Sequence, residues 1–236
     1  GTISRGSSDP LSVAVNDPPL LLGRVLADRL ARAGVAVAGN VIAIDRERVL
    51  IKPEAQPLCQ TVTPLADAMA RANKRSLNMA AECLFLRAGD GTWAGSAKLM
   101  SETLAKEFAL PPESFTVRDG SGLSHGNRVS PAAVTRLLTE ILRRKDADLL
   151  LDSLPISGTD GSIRGRLTSQ PYRGRVLGKT GYIAGASCLS GYVLDRAGKP
   201  ACAFSILVNR VPAGKGWKAH ELQEDLCRML VDELDK

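Results

Sequence analysis

The sequence predicts an α+β fold in which helices pack on an antiparallel sheet. Three observations predict it. A middle stretch sets its apolar residues at helical spacing between clear stop signals. Three strand-like runs follow at 176–180, 187–194 and 201–208, the last two joined by the hairpin loop Asp195-Arg196-Ala197-Gly198-Lys199. A helical pattern over 218–235 closes the chain.

The elements are justified in order. Residues 1–10, rich in Gly, Ser and Asp, read as a flexible or truncated entry, and 11–15 alternates as a strand does. Asp17 caps a helix that opens on Pro18-Pro19 and runs to Ala33, with Gly34 at the stop. Short β-rich pieces are predicted at 35–37, 41–44, 49–51 and 59–62. Pro64 then opens a short helix over 65–72. A buried helix over 79–87 stops at Gly89, and another over 95–108 ends before Pro111-Pro112. After the Gly- and Ser-rich loop 119–127, Ser130-Pro131 is a strong helix start: Ser as N-cap, Pro at the first helical position. That helix is expected to reach Arg144. A shorter one covers 148–154, ahead of the turn Gly158-Thr159-Asp160-Gly161.

Composition narrows the function. An apolar content of 44% and a charged content of 24% are those of an ordinary globular domain. Aromatic content is only 4%, which leaves few side chains to stack on nucleic-acid bases. The net charge of +6 suits an acidic polymer such as anionic cell-wall material, but the basic residues (Arg24, Arg29, Arg32, Arg136, Arg143, Arg144) are spread over helical faces. That is the spacing of solvated surface, not of a nucleic-acid stripe. Cys59, Cys83, Cys188, Cys202 and Cys227 are odd in number and widely spaced, so they indicate neither a disulfide framework nor a zinc site. Most read as small buried thiols. His125 and His220 are too isolated to build a metal site, and no phosphate loop or dinucleotide fingerprint occurs, so no metal and no cofactor is expected. No run approaches the roughly 18 apolar residues that span a bilayer. Gly1-Thr2-Ile3-Ser4-Arg5 shows no basic segment followed by an apolar one.

Two triplets can hold chemistry. In Ser76-Leu77-Asn78 the bland reading is a pair of helix-capping residues ahead of Met79-Ala80-Ala81. The functional reading needs both polar side chains in one cleft, which an extended or turning segment permits and a helix does not. Ser76 then relays a proton, while the Asn78 amide holds a substrate carbonyl and orients a lysine. In Lys179-Thr180-Gly181 the bland reading is a surface turn with a solvated lysine. The functional reading gives each residue work. The Lys179 ammonium supplies positive potential, and the Thr180 hydroxyl bonds a carboxylate. Gly181 lets a peptide backbone approach the strand edge, and the Tyr182 N–H serves an oxyanion hole. Asp119-Gly120-Ser121-Gly122-Leu123-Ser124 reads first as a tight turn whose Asp and Ser bond nearby backbone. Its glycines flank Ser121 directly, so it is not the Gly-x-Ser-x-Gly elbow of hydrolases.

The order of these pieces resembles the D-alanyl-D-alanine carboxypeptidases of the S13 peptidase family, the class C low-molecular-mass penicillin-binding proteins. Thr61-Val62-Thr63-Pro64-Leu65 through Asn73-Lys74-Arg75-Ser76-Leu77-Asn78-Met79-Ala80-Ala81-Glu82 is similar to that family's second-motif region. Asp119-Gly120-Ser121-Gly122-Leu123-Ser124 with Asn127-Arg128-Val129-Ser130-Pro131 resembles its next loop and helix. Leu154-Pro155-Ile156-Ser157-Gly158 with Asp160-Gly161, and Lys179-Thr180-Gly181 with Leu189-Ser190-Gly191-Tyr192-Val193, complete the set.

The resemblance implies part of a penicillin-binding, serine β-lactamase-like transpeptidase fold. Residues 1–60 would end an inserted accessory region and return to the catalytic domain, and 61–236 would be its C-terminal part. It implies a serine-type carboxypeptidase, with endopeptidase action possible in chemistry, that acts on peptidoglycan peptides outside the cytoplasm and is inhibited by β-lactams. Catalytic roles fall to Ser76, Asn78 and Lys179, and substrate binding to Thr180, Gly181 and Tyr182. Two departures stand out. The family's nucleophile lies upstream in a Ser-x-x-Lys element, and none occurs in these 236 residues; Ser96-Ala97-Lys98 has the wrong spacing and position. The expectation is therefore the C-terminal half of a longer protein, inert alone. The residue after the triplet, often Ser or Thr, is Tyr182, which leaves carboxylate recognition to Thr180. The rival expectations are a β-lactamase and a non-catalytic peptidoglycan-binding module.

Overall fold

Asp17 and the two prolines after it do what their chemistry dictates. In the computed structural model, which describes residues 15–44, 56 and 60–236, the Asp17 carboxylate accepts the Leu20 N–H at 2.9 Å and α1 (Pro18–Arg32) begins there. Gly34 follows its end with φ +81. The chain divides into two compact units, Gly1–Gln60 and Thr61–Lys236. In the first, Leu21, Leu22, Val25 and Leu26 of α1 stay exposed.

The strands predicted at 35–37 and 41–44 are absent; both segments are irregular. Their β-branched residues have the propensity, but a strand exists only when a partner takes its backbone groups, and none among the described residues does. For the same reason Val15 and residues 60–62 are irregular. The rest of the predicted strand 11–15, the piece 49–51 and Cys59 lie outside the described residues.

The second unit begins with α2 (Leu65–Lys74), α3 (Asn78–Ala88) and α4 (Trp93–Lys106). Thr92 caps α4 by accepting the Gly95 N–H at 3.0 Å. The two-residue strands β1 (Phe115–Thr116) and β2 (Arg128–Val129) then pair antiparallel and pinch off the loop between them. Ser130 caps α5 (Pro131–Ile141), accepting the Ala133 N–H at 3.1 Å; the helix stops short of the predicted Arg144 in a turn. After α6 (Ala147–Ser153) come β3 (Val176–Ile183), β4 (Ala186–Leu194), β5 (Pro200–Asn209) and α7 (Gly216–Leu234).

The sheet order is β3-β4-β5, antiparallel throughout, with Lys179 opposite Ser190 and Leu189 opposite Ile206. The period-2 alternation of β4 explains how one strand serves two cores. Leu189 and Val193 meet Val176, Phe204 and, from α7, Cys227 and Val231. Tyr192 and Leu194 meet Leu138 of α5 and Leu154 on the other face. Each such side chain contributes roughly 1.5–3 kcal/mol through burial. The sheet is thus held between α7 and the α5–α6 pair, and the α+β expectation stands. Among the described cysteines Cys227 is buried, Cys188 and Cys202 are half-buried, and all are free thiols. Cys83 is exposed, which corrects the buried reading for that residue: it faces outward from α3.

Candidate active site

Ser76 lies in the short connector between α2 and α3, a segment that is not helical, so its side chain is released from helical periodicity. Its φ is +50, left-handed for a residue with a Cβ. The Leu77 N–H reaches back to the Arg71 carbonyl at 3.3 Å and closes the turn that imposes it. Such a conformation costs on the order of 1 kcal/mol and persists only where the surroundings over-determine it.

Lys179 comes from the opposite direction, on β3. Its Nζ donates to Ser76 Oγ at 2.9 Å and to the Thr180 carbonyl at 2.6 Å. Burial pushes the Lys179 ammonium below its ordinary 10.5. Thr180 turns its hydroxyl the other way, donating to Ser162 Oγ at 2.9 Å. Gly181 and Tyr182 are exposed on the same strand. One edge of β3 is taken by β4. On the other, the Ser157 and Gly178 amides tie its first residues to the segment before Gly158, and from Lys179 onward that edge has no strand partner among the described residues.

Asn78 is the first residue of α3 and is exposed. It shares with Ser76, Lys179 and Thr180 a cleft of about 360 Å³, whose remaining wall includes Gly120, Ser121 and Asn127. The turn at 119–124 therefore borders the cleft as well as being a turn. Asp119 makes it rigid: one carboxylate oxygen accepts the Gly122 N–H and the Asn127 side-chain amide, both at 2.8 Å, and the other accepts the Ser124 N–H at 2.7 Å.

Three contributors were not singled out from sequence. Glu82 accepts the Ser121 N–H at 3.0 Å, the Gly120 N–H at 3.3 Å and the Trp93 indole N–H at 3.0 Å, which clamps the loop to α3. Burial works to raise its pKa, but the hydrogen bonds from Ser121, Gly120 and Trp93 win and hold the carboxyl below its ordinary value. Ser162 receives Thr180, and the Asn73 amide donates to Ser153 Oγ at 2.7 Å beneath the cleft. The only available signal was position: Glu82 is four residues past Asn78, and so on the same helical face.

Residues 1–226 match the D-Ala-D-Ala carboxypeptidase 3 (S13) family. The chain is 28% identical over 212 residues to D-alanyl-D-alanine carboxypeptidase DacB of Haemophilus influenzae, covering 86% of this chain and 43% of that protein. It is 31% identical over 209 residues to the D-alanyl-D-alanine carboxypeptidase of an Actinomadura species, covering 83% and 37%. It superposes on the crystal structure of penicillin binding protein 4 from H. influenzae in complex with a β-lactam, with a TM-score of 0.75 at 26% identity, covering 93% of this chain and 53% of that one. The architecture is thus that of a penicillin-binding fold. The chain belongs to the D-Ala-D-Ala carboxypeptidase 3 (S13) family. It spans less than half the length of these curated relatives.

Proposed function

We propose that this chain forms the Ser76-x-Asn78 and Lys179-Thr180-Gly181 walls of a serine-type D-Ala-D-Ala carboxypeptidase that acts on peptidoglycan peptides outside the cytoplasm. The observation that carries the reading is the 2.9 Å bond from Lys179 Nζ to Ser76 Oγ, which joins residues 103 positions apart across a cleft. As acceptor from an ammonium, Ser76 has its own O–H proton free to point into the cleft. In acyl transfer a nucleophilic serine attacks the carbonyl of the penultimate D-alanine, and the C–N bond to the last one breaks. Ser76 hands its proton to the departing nitrogen and takes in exchange the proton that the nucleophile gives up, and water then hydrolyses the acyl-enzyme. The Asn78 amide donates to the substrate carbonyl. Thr180 turns its proton from Ser162 to the terminal carboxylate, and Ser162 can donate back in exchange. The free edge from Lys179 to Tyr182 takes the peptide as an added strand, with the Tyr182 N–H at the oxyanion.

On this reading the nucleophile sits in a Ser-x-x-Lys element outside these 236 residues, and the chain alone is inert. Residues 1–60 belong to an inserted accessory region and 61–236 to the catalytic domain. β-Lactams acylate the intact protein, and cross-linked peptides are a second substrate class. The lack of Ser-x-x-Lys also supports a second reading, a non-catalytic peptidoglycan-binding module. Labelling with a fluorescent penicillin separates them. The product of the whole gene should be labelled and this chain alone should not. Labelling of Ser121 or Ser124 in the chain alone would refute the proposed roles, and a whole-gene product that takes no label would favour the binding module.

A further inference from the structure

Beside the cleft lies a second concavity, of about 470 Å³, lined by Lys74, Arg75, Gly161, Ser162 and Arg164. The two are adjacent by construction. Lys74 and Arg75 immediately precede Ser76, and Ser162, which lines the second concavity, receives the hydroxyl of Thr180, which lines the first. The Thr180–Ser162 hydrogen bond is therefore the divide between them. Gly161 holds the two walls together. It has φ +60, and a Cβ there would stand 3.0 Å from the Lys74 carbonyl oxygen, so only glycine lets the turn over Gly161–Ile163 sit this close to the end of α2.

The lining is cationic and only partly compensated. Asp160 pairs with Lys74 at 2.5 Å while its other oxygen accepts the Ile156 N–H at 2.8 Å, so that carboxylate is fully engaged. Arg75 and Arg164 have no salt-bridge partner among the described residues; the Arg164 guanidinium makes a long 3.4 Å approach to the Gly161 carbonyl. Two guanidinium groups thus border the second concavity, just past the hydroxyl proposed to hold the substrate's terminal carboxylate. A departing D-alanine has a single carboxylate, which ends at Thr180. We propose that the Arg75–Arg164 concavity binds a second carboxylate, borne by the leaving side of a larger peptide substrate. The inference rests on the carboxypeptidase reading and extends it from simple D-Ala-D-Ala ends to branched or acidic leaving groups.

The test titrates two synthetic peptides, diacetyl-L-Lys-D-Ala-D-Glu and its neutral isostere ending in D-Gln, into the isotopically labelled chain at low ionic strength. Amide shifts report where each binds and how tightly. Both peptides end in an α-carboxylate and differ only in the second one. The D-Glu peptide should bind about fivefold more tightly, the scale of a good exposed ion pair. Arg75→Gln and Arg164→Gln should each remove most of that advantage without changing the D-Gln affinity. Both arginines are exposed, so the substitutions leave the core untouched, and the amide spectrum verifies the fold. Equal affinities, or an advantage that survives both substitutions, would overturn the inference and leave the carboxypeptidase reading standing. If neither peptide shifts the amides around Ser76 and Thr180, the carboxypeptidase reading fails and the inference falls with it.

Discussion

Replacing Ser76 separates what its hydroxyl does from what its backbone costs. With φ at +50, Ser76 holds a left-handed conformation that costs an L-residue roughly 1–2 kcal/mol relative to glycine. Its hydroxyl accepts one hydrogen bond from Lys179 at an exposed position, worth about 0.5–1.5 kcal/mol at most. Ser76→Ala loses the bond and keeps the strain, so it should be destabilising by about 1 kcal/mol. Ser76→Gly loses the same bond but relieves the strain, against about 0.4–1 kcal/mol of added freedom in the unfolded chain. The glycine variant should therefore sit close to wild type and on the order of 1 kcal/mol above the alanine variant. For a unit of this size that corresponds to about 2–4 °C in Tm. Circular-dichroism melts at pH 7, repeated as urea titrations, measure the order. If Gly melts at or below Ala, Ser76 is not strained, and the connector between α2 and α3 is shaped differently from the description above.

Two further substitutions probe the same unit. Because burial lowers the Lys179 pKa, the unfolded chain binds that proton more tightly between the folded pKa and 10.5, so stability rises with pH across that window. Lys179→Met should lose this rise and stay within about 1 kcal/mol of wild type at pH 7 while losing any cleft function; a strong destabilisation would contradict the cost assigned to the buried ammonium. Tyr192 is fully buried and donates to the Leu138 carbonyl at 2.9 Å, and burial pushes its hydroxyl up to about 12. Its contribution is present below pH 10 and lost as pH rises through about 12. Tyr192→Phe should cost only about 1 kcal/mol, since Leu138 keeps its helical partner Leu142, and should flatten the alkaline limb of the stability profile.

What was legible in the sequence was local. Asp17 and Ser130 cap helices by bonds that span three residues, and such signals need no knowledge of the fold. The strands β3 to β5 announced themselves through continuous apolar runs and a tight hairpin loop. The overpredicted strands at 35–37 and 41–44 show the limit of that reasoning, because pairing is a tertiary fact that β-branched residues cannot disclose. The paired dipeptides β1 and β2 were missed for the opposite reason: two residues are too few to show a period. At the site, the residue types in both triplets were visible, but their proximity was not. Ser76 and Lys179 are separated by four helices, α3 to α6, and by the β1–β2 pair, so only the ordered resemblance to a family linked them before the geometry did.

Glu82 is the clearest case of a residue whose importance depends wholly on the fold. On a helix it is one more acidic side chain, but the backbone it grips belongs to a loop 38 and 39 residues further on. The loop can be gripped only because Gly120 has no side chain: a Cβ there would collide with Phe85 and stand 2.7 Å from the Ala81 carbonyl oxygen. Held below its ordinary pKa, the Glu82 carboxyl is an acceptor across the neutral range, which is what two backbone N–H groups and an indole N–H require. Asn78 and Glu82 lie one turn apart on the same face of α3, so the helix that aims Asn78 into the cleft also anchors the cleft's opposite wall. Lys179 then ties the connector ahead of α3 to the sheet. The three walls are thus joined by directed polar contacts as well as by packing. A site that must hold several polar groups in register needs that arrangement, because a purely apolar contact has no direction and would let each wall slide.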